Sequence, residues 1–211
     1  MAGKIIDIRM LPMDLARLAI FPYILFHRVS YRYAGNKFHI KNGAIIVANH
    51  TSFGDPIMLA SCFGYRRVQY LAGEVTMNTP IRRFFMKGLG CIKVDRTITD
   101  LNAMQECVHV LEEGRLLAMF PEGGLQTGES LKSIKSGAAY LAISAQVPIV
   151  PVYLSRKTHW YQRRTAVIGE PVCCPQDSKR TYPRKSDILQ MSEQLLEKMR
   201  QCQKLCEDIQ K

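Results

Sequence analysis

The stretch Asn42-Gly43-Ala44-Ile45-Ile46-Val47-Ala48-Asn49-His50-Thr51-Ser52-Phe53-Gly54-Asp55-Pro56-Ile57-Met58-Leu59-Ala60 decides how this chain folds. Asn42-Gly43 marks a turn, and the unbroken apolar run from Ala44 to Ala48 reads as a buried strand. The run stops abruptly at Asn49-His50. Beyond Gly54 the spacing predicts a helix, with Asp55 as its N-cap and Pro56 at its first position. A histidine at a strand end therefore faces a carboxylate five residues later, at the mouth of a helix. A tight turn through Gly54 folds Asp55 back against the imidazole, giving a general base and the carboxylate that orients it. Asp-Pro helix starts are common, and this spacing also arises by chance, so the rest of the chain has to weigh in.

At 211 residues, 47% of them hydrophobic and 22% charged, the chain fits one globular domain able to bury a core without disulfides. A formal charge of +11 favours polyanionic partners, either nucleic acid or an anionic membrane surface. The arginines and lysines are spread in pairs such as Arg66-Arg67, Arg82-Arg83, Arg156-Lys157, Arg163-Arg164 and Lys179-Arg180, in no nucleic-acid-binding motif. No nucleic-acid partner is therefore expected. Seven cysteines, an odd number without a regular framework, suit a reducing compartment. No Cys-x-x-Cys pair or His-rich partner completes a zinc site, so no metal is expected and the thiols read as core.

Residues 15–26 are apolar but broken by Arg17 and Pro22, too short to span a bilayer and without a signal-peptide cleavage site. Lys4, Arg9, Arg17, Arg28 and Arg32 surround them. Two readings stand: an interfacial helix lying on anionic lipid, or an ordinary helix capping the core. Further on, residues 31–33 and 37–41 read as short strands leading into the central one. Strands are also expected at 68–72, 90–96, 115–120, 147–154 and 167–168. Helices are expected at 55–62, 79–87, 99–113 and 135–146. The 99–113 helix has a stripe of Leu101, Met104, Val108 and Leu111, and Gly114 stops it. Ile188, Met191, Leu195, Met199, Cys202, Cys206 and Ile209 recur at helical steps and predict a long amphipathic C-terminal helix packed on the body.

Alternating strands and helices predict an α/β fold: a single layered domain whose mixed or mostly parallel sheet is flanked by helices. The expected layout is a membrane-interface segment at 1–33, a core at 34–175 and the C-terminal helix at 176–211. In such folds polar residues gathered beyond strand ends make the site, and His50, Arg96 and Glu122 each follow a strand.

Four ordered blocks give a more specific signal. The stretch from Asn49 to Asp55 resembles the His-x4-Asp motif of the glycerolipid (lysophospholipid) acyltransferase family. Gly90-Cys91-Ile92-Lys93-Val94-Asp95-Arg96 is similar to that family's Gly-x-Ile-x-x-x-Arg block. Phe120-Pro121-Glu122-Gly123 resembles the opening of its Phe-Pro-Glu-Gly-Thr-Arg-Ser block, and Val147-Pro148-Ile149-Val150-Pro151-Val152 its fourth. Lys135-Ser136-Gly137 looks like its Lys-x-Gly helix start. The resemblance runs from about residue 38 to 171.

It implies acyl transfer from acyl-CoA or acyl-carrier protein to the free hydroxyl of a lyso-glycerolipid, 1-acyl-glycerol-3-phosphate, making phosphatidate in phospholipid synthesis. No cofactor is implied, and the location is the cytoplasmic face of a membrane, as a peripheral protein. A hydroxyl is a poor nucleophile at neutral pH, so His50 takes its proton and Asp55 holds the ring. Backbone N–H groups near the turn are candidates for stabilising the oxyanion. Cys62 and Ser52 lie close in sequence, but packing and turn roles suit them better than nucleophilic ones. Arg96 is expected to bind the acceptor's phosphate, the competing reading being a surface pair with Asp95 or Asp100. Glu122 is expected to bond a glycerol hydroxyl or orient a basic residue, Gly123 and Gly124 to allow close backbone approach, and Lys135 to add positive charge. Phe53, Met58, Phe84, Phe85 and Met86 are candidates for lining an acyl channel.

The chain departs from the family pattern in two places. Gly124-Leu125-Gln126 replaces Thr-Arg-Ser, and Gly73 stands where relatives often carry lysine. Both changes remove positive charge near the expected headgroup. A different lyso-lipid acceptor is the alternative, with Arg83, Lys132 or Lys135 available to compensate. A peripheral membrane-binding protein with a dead site is the rival from another class.

Overall fold

The structure, a computed structural model, describes residues 30–52, 54–64, 66–73, 78–80, 83, 86, 90–95, 100–121, 136–156, 164–175 and 183–210. These form strands β1 (Ser30–Ala34), β2 (Ala44–Ala48), β3 (Val68–Gly73), β4 (Ile92–Val94), β5 (Leu116–Met119), β6 (Ile149–Leu154) and β7 (Thr165–Gly169). The helices are α1 (Asp55–Cys62), α2 (Leu101–Glu112), α3 (Gly137–Ala145) and α4 (Lys185–Gln210). At 79–87, where a further helix is expected, the described Pro80, Arg83 and Met86 are helical, and the Arg83 N–H donates to the Thr79 carbonyl at 2.9 Å. The expected N-terminal helix before residue 30 lies outside the described residues. Among the described residues no helix is long and apolar enough to cross a membrane.

The strands make one seven-stranded mixed sheet in the order β1-β7-β6-β2-β5-β3-β4. All pairings are parallel except β6 with β7. Strand β2 lies near the middle and all five of its residues are buried, which is why it reads as an unbroken apolar run rather than an alternating one. Ala44, Ile46 and Ala48 pack with Met58, Leu59 and Cys62 of α1 on one face. Ile45 and Val47 pack on the other face with Ala103, Cys107 and Leu111 of α2, Ala139 and Ile143 of α3, and Met191, Leu195 and Met199 of α4. The helix after β2 thus covers one face and the helix after β5 the other. That makes the neighbouring ends of β2 and β5 the topological switch point, where α/β sheets open a crevice for ligands.

Four local expectations are corrected. Residues 37–41 form no strand; instead the Ile40 and Lys41 carbonyls accept hydrogen bonds from the Arg66 guanidinium at 2.8 and 2.9 Å, and Arg66 also donates to Gly114. β1 does not lead into β2 but pairs in parallel with β7 at the sheet edge, so residues 30–33 belong to the sheet. On α2 the expected Leu111 is buried and Met104 and Val108 pack partly buried on the core, but Leu101 is 66% exposed, and Ala103, Cys107 and Val110 complete the buried face. The small side chains at Ala103 and Cys107 let the helix lie close to the strands, an economy that a search for large apolar residues overlooks. On α4, Ile209 lies outside the packed stripe, exposed in the last turn. The helix otherwise packs as expected, against β6 and β7, through Met191, Leu195, Met199, Cys202 and Cys206.

The Asn42-Gly43 turn has a packing reason. A Cβ on Gly43 would stand 2.1 Å from the Leu111 carbonyl oxygen, in the last turn of α2, and backbone cannot swing aside as a side chain can. Gly114, at φ +77°, ends that same helix in the left-handed conformation glycine tolerates. Gly43→Ala is therefore expected to cost about 3 kcal/mol, lowering Tm by roughly 10 °C. Thermal unfolding followed by circular dichroism checks this; an unchanged Tm would mean α2 does not lie against the turn.

Candidate active site

The site grows from the way β2 ends. Asn49, buried just past the strand, uses its amide in both directions. Its Nδ2 donates to the Leu154 carbonyl at 2.9 Å, and the Leu154 N–H donates to its Oδ1 at 2.7 Å. This clamps the C-terminal ends of β2 and β6 together and releases the chain at His50.

Helix α1 begins one residue earlier than the sequence implies. Gly54 is the N-cap and Asp55 lies in the first helical turn, with no side-chain cap on the helix. The Asp55 carboxylate is turned back instead, because better donors lie behind it. Its Oδ2 accepts the Thr51 N–H at 2.6 Å, the Ser52 N–H at 2.7 Å and His50 Nδ1 at 3.1 Å. Its Oδ1 accepts the Ser52 hydroxyl at 2.7 Å and Arg164 Nη2 at 2.6 Å. The Thr51 and Ser52 amides are thus committed to Asp55, which removes them as candidates for the oxyanion.

Burial works against charge on Asp55, but the hydrogen bond from His50, the Arg164 guanidinium and the bonds from Ser52 together outweigh it. They bring the carboxyl down to about 2. An ionised carboxylate can only accept, so Nδ1 is the donor in the His50–Asp55 bond, and in the neutral ring that leaves the lone pair on Nε2. The Asp55 side chain is fully buried, whereas that of His50 is 20% exposed. The Phe120 ring, just past β5, stacks on the imidazole with centroids 4.3 Å apart and planes 22° apart. The imidazole is thereby held by a charge on one side and by a ring on its face, just past the adjacent ends of β2 and β5. Cys62 is no rival nucleophile: burial pushes its thiol up to about 12, and its Sγ donates to the Met58 carbonyl. The Ser52 hydroxyl is engaged by Asp55 and Arg164, as its turn role requires.

Residues 28–155, more than half the chain, match the family described as Acyltransferase. The chain belongs to the Acyltransferase family. It is 30% identical over 118 residues to a probable 1-acyl-sn-glycerol-3-phosphate acyltransferase of Mycoplasma pneumoniae, a match covering 53% of this chain and 44% of that one. To the human 1-acyl-sn-glycerol-3-phosphate acyltransferase beta it is 31% identical over 122 residues, covering 57% of this chain and 44% of that one. The matched region thus spans less than half the length of these curated relatives. The fold is that of the crystal structure of the 1-acyl-sn-glycerophosphate acyltransferase PlsC from Thermotoga maritima. The TM-score is 0.64 at 19% identity, covering 93% of this chain and 80% of that one.

In this member of the Acyltransferase family, the structure brings together two of the residues singled out from the sequence, His50 and Asp55. Arg96, Glu122, Gly123, Gly124 and Lys135 lie outside the described residues, as do Phe53, Phe84 and Phe85. Met58 belongs to the core rather than to a channel. Sequence reasoning missed Arg164, Asn49 and Phe120 as members of the constellation. In the sequence Arg164 stands as one of several scattered basic residues; its signal, an arginine immediately before the apolar run of β7, is too common to read alone.

Proposed function

We propose that this chain transfers a fatty acyl group from a thioester to the free hydroxyl of 1-acyl-glycerol-3-phosphate, yielding phosphatidate. The observation that carries the reading is the His50–Asp55 pair, Nδ1 to Oδ2 at 3.1 Å, just past the end of β2. In this mechanism the acceptor hydroxyl gives its proton to His50 Nε2 as its oxygen attacks the thioester carbonyl. Asp55 stabilises the imidazolium, as in other His–carboxylate pairs. Collapse of the tetrahedral intermediate breaks the C–S bond, and the imidazolium returns its proton to the departing thiolate. The products are an ester and a free thiol, with no covalent enzyme intermediate.

Acyl-CoA or acyl-carrier protein is the proposed donor. The acceptor's phosphate is assigned to Arg96, its glycerol hydroxyl to Glu122, close backbone approach to Gly123 and Gly124, and added positive charge to Lys135. The +11 charge and the basic residues Lys4, Arg9, Arg17 and Arg28 ahead of β1 support docking on an anionic membrane, proposed to be at its cytoplasmic face. A second acceptor reading has its own support: Gly124-Leu125-Gln126 and Gly73 leave fewer cations for a phosphate monoester. The test is thiol release by purified protein with acyl-CoA or acyl-carrier protein and four acceptor conditions: lysophosphatidate, lysophosphatidylglycerol, an uncharged lyso-lipid, or none. Release driven by lysophosphatidate is expected. Turnover only with another acceptor would keep the chemistry and replace the substrate, and silence throughout would overturn the enzyme reading.

A further inference from the structure

We infer that Arg164 is a positioning residue of the acyl-transfer site, setting the direction of the His50 imidazole through Asp55; this rests on the acyltransferase reading above. Burying a guanidinium is costly unless its donors and its charge are both answered. The Arg164 side chain is 5% exposed. It donates to Asp55 Oδ1 through Nη2 at 2.6 Å, to the Ser52 hydroxyl through Nη1 at 3.0 Å, and to the Ser155 carbonyl through Nε at 3.2 Å and Nη2 at 2.9 Å.

The division of labour on the carboxylate carries the argument. Oδ2 serves the His50 ring and the turn amides, while Oδ1 serves Arg164 and Ser52. A carboxylate held by one oxygen can swing about its Cβ–Cγ bond. Held by both, it has one orientation, and that orientation points Oδ2 at Nδ1. Arg164 also donates to the Ser52 hydroxyl that makes the other Oδ1 bond, so it touches both contacts on that oxygen. The topology explains how a residue 109 positions away reaches the site. β7 is antiparallel to β6, so the start of β7 lies beside the end of β6, at the same edge of the sheet as the end of β2. Ser155, closing β6, fixes the arginine's stem side: its hydroxyl accepts the Thr165 N–H at 2.8 Å and its carbonyl takes the guanidinium.

A staple that merely joins the β6–β7 end to α1 would lower stability without changing turnover per folded molecule. A positioning residue changes turnover. Arg164→Met is expected to lower kcat about 10²-fold with KM within about twofold, and Arg164→Lys to regain about tenfold of that loss by restoring one charged donor to Oδ1. In the Asp55→Asn background, adding Arg164→Met should cost no further kcat, because the route through the carboxylate is already cut. Nitrogen-15 NMR of the His50 ring provides a readout independent of turnover. The wild type is expected to hold the Nδ1–H tautomer, and Arg164→Met to mix it with the Nε2–H form. Unchanged kcat and an unchanged ring spectrum in Arg164→Met would overturn the inference, as would an additive loss in the double variant. If Arg164→Met does not fold, Arg164→Lys and the charge-free double variant carry the same comparisons. A wild type without thioester turnover would remove the functional reading, while the ring spectra would still decide whether Arg164 orients His50.

Discussion

His50→Ala is expected to lower kcat/KM for the proposed acyl transfer by about 10³-fold, equivalent to about 4 kcal/mol of barrier, with the protein still folded and any binding to anionic vesicles retained. The size follows from the chemistry: without a base, the acceptor hydroxyl must attack the thioester still carrying its proton. The fold survives because His50 supplies one of five hydrogen bonds to Asp55, and its ring is partly exposed. The stability cost is therefore about 1 kcal/mol. Thiol release and vesicle co-sedimentation on the same preparation read both halves. Retained turnover in the variant would remove His50 from the chemistry. A wild type that binds vesicles without turnover would favour the binding-module reading.

Asp55→Ala has the larger effect on the fold. It leaves the Arg164 guanidinium buried without its counter-charge, and deleting one partner of a buried ion pair costs about 3–5 kcal/mol. Tm falls by roughly 10 °C or more in a chain of this size. Asp55→Asn keeps the shape, loses the charge, and isolates the electrostatic part. Because the folded carboxyl lies at about 2, below its ordinary 3.8, Asp55 stabilises the fold fully above about pH 4. That contribution is lost as the pH falls towards 2 and amounts to on the order of 2 kcal/mol. Urea unfolding from pH 7 down to pH 2.5 checks the sign. The wild type should lose stability below pH 4 more steeply than Asp55→Asn, and parallel curves would show that the carboxylate is not held ionised by the fold.

The dyad was legible in the sequence because everything that builds it lies within a few residues. An apolar run stops at Asn49, a short turn follows, and Asp55-Pro56 opens a helix. The shift of the cap from Asp55 to Gly54 was not legible, since it depended on what else competed for the carboxylate. The Thr51 and Ser52 amides, the imidazole and a distant guanidinium won over the helix's own amides. On α2, Met104, Val108 and Leu111 do face the core, and only Leu101 departs from the expected stripe. Ala103 and Cys107, too small to stand out in an apolar pattern, are buried beside them.

Charge shows the boundary most clearly. Arg66 and Arg164 both contribute to the formal +11, yet the first ties loop carbonyls together and the second is sealed against Asp55. A formal charge counts ions but does not say which are already paired. By itself, the sequence determined the α/β class, the buried central strand and the His50–Asp55 spacing, because hydrophobic period, turn chemistry and helix starts are local. Only the tertiary structure decided that Arg164 reaches Asp55, that Phe120 lies on His50 and that Asn49 clamps Leu154. Those contacts join residues far apart in the chain, and the order and direction of the strands, above all the antiparallel turn of β7 against β6, bring them to one edge of the sheet.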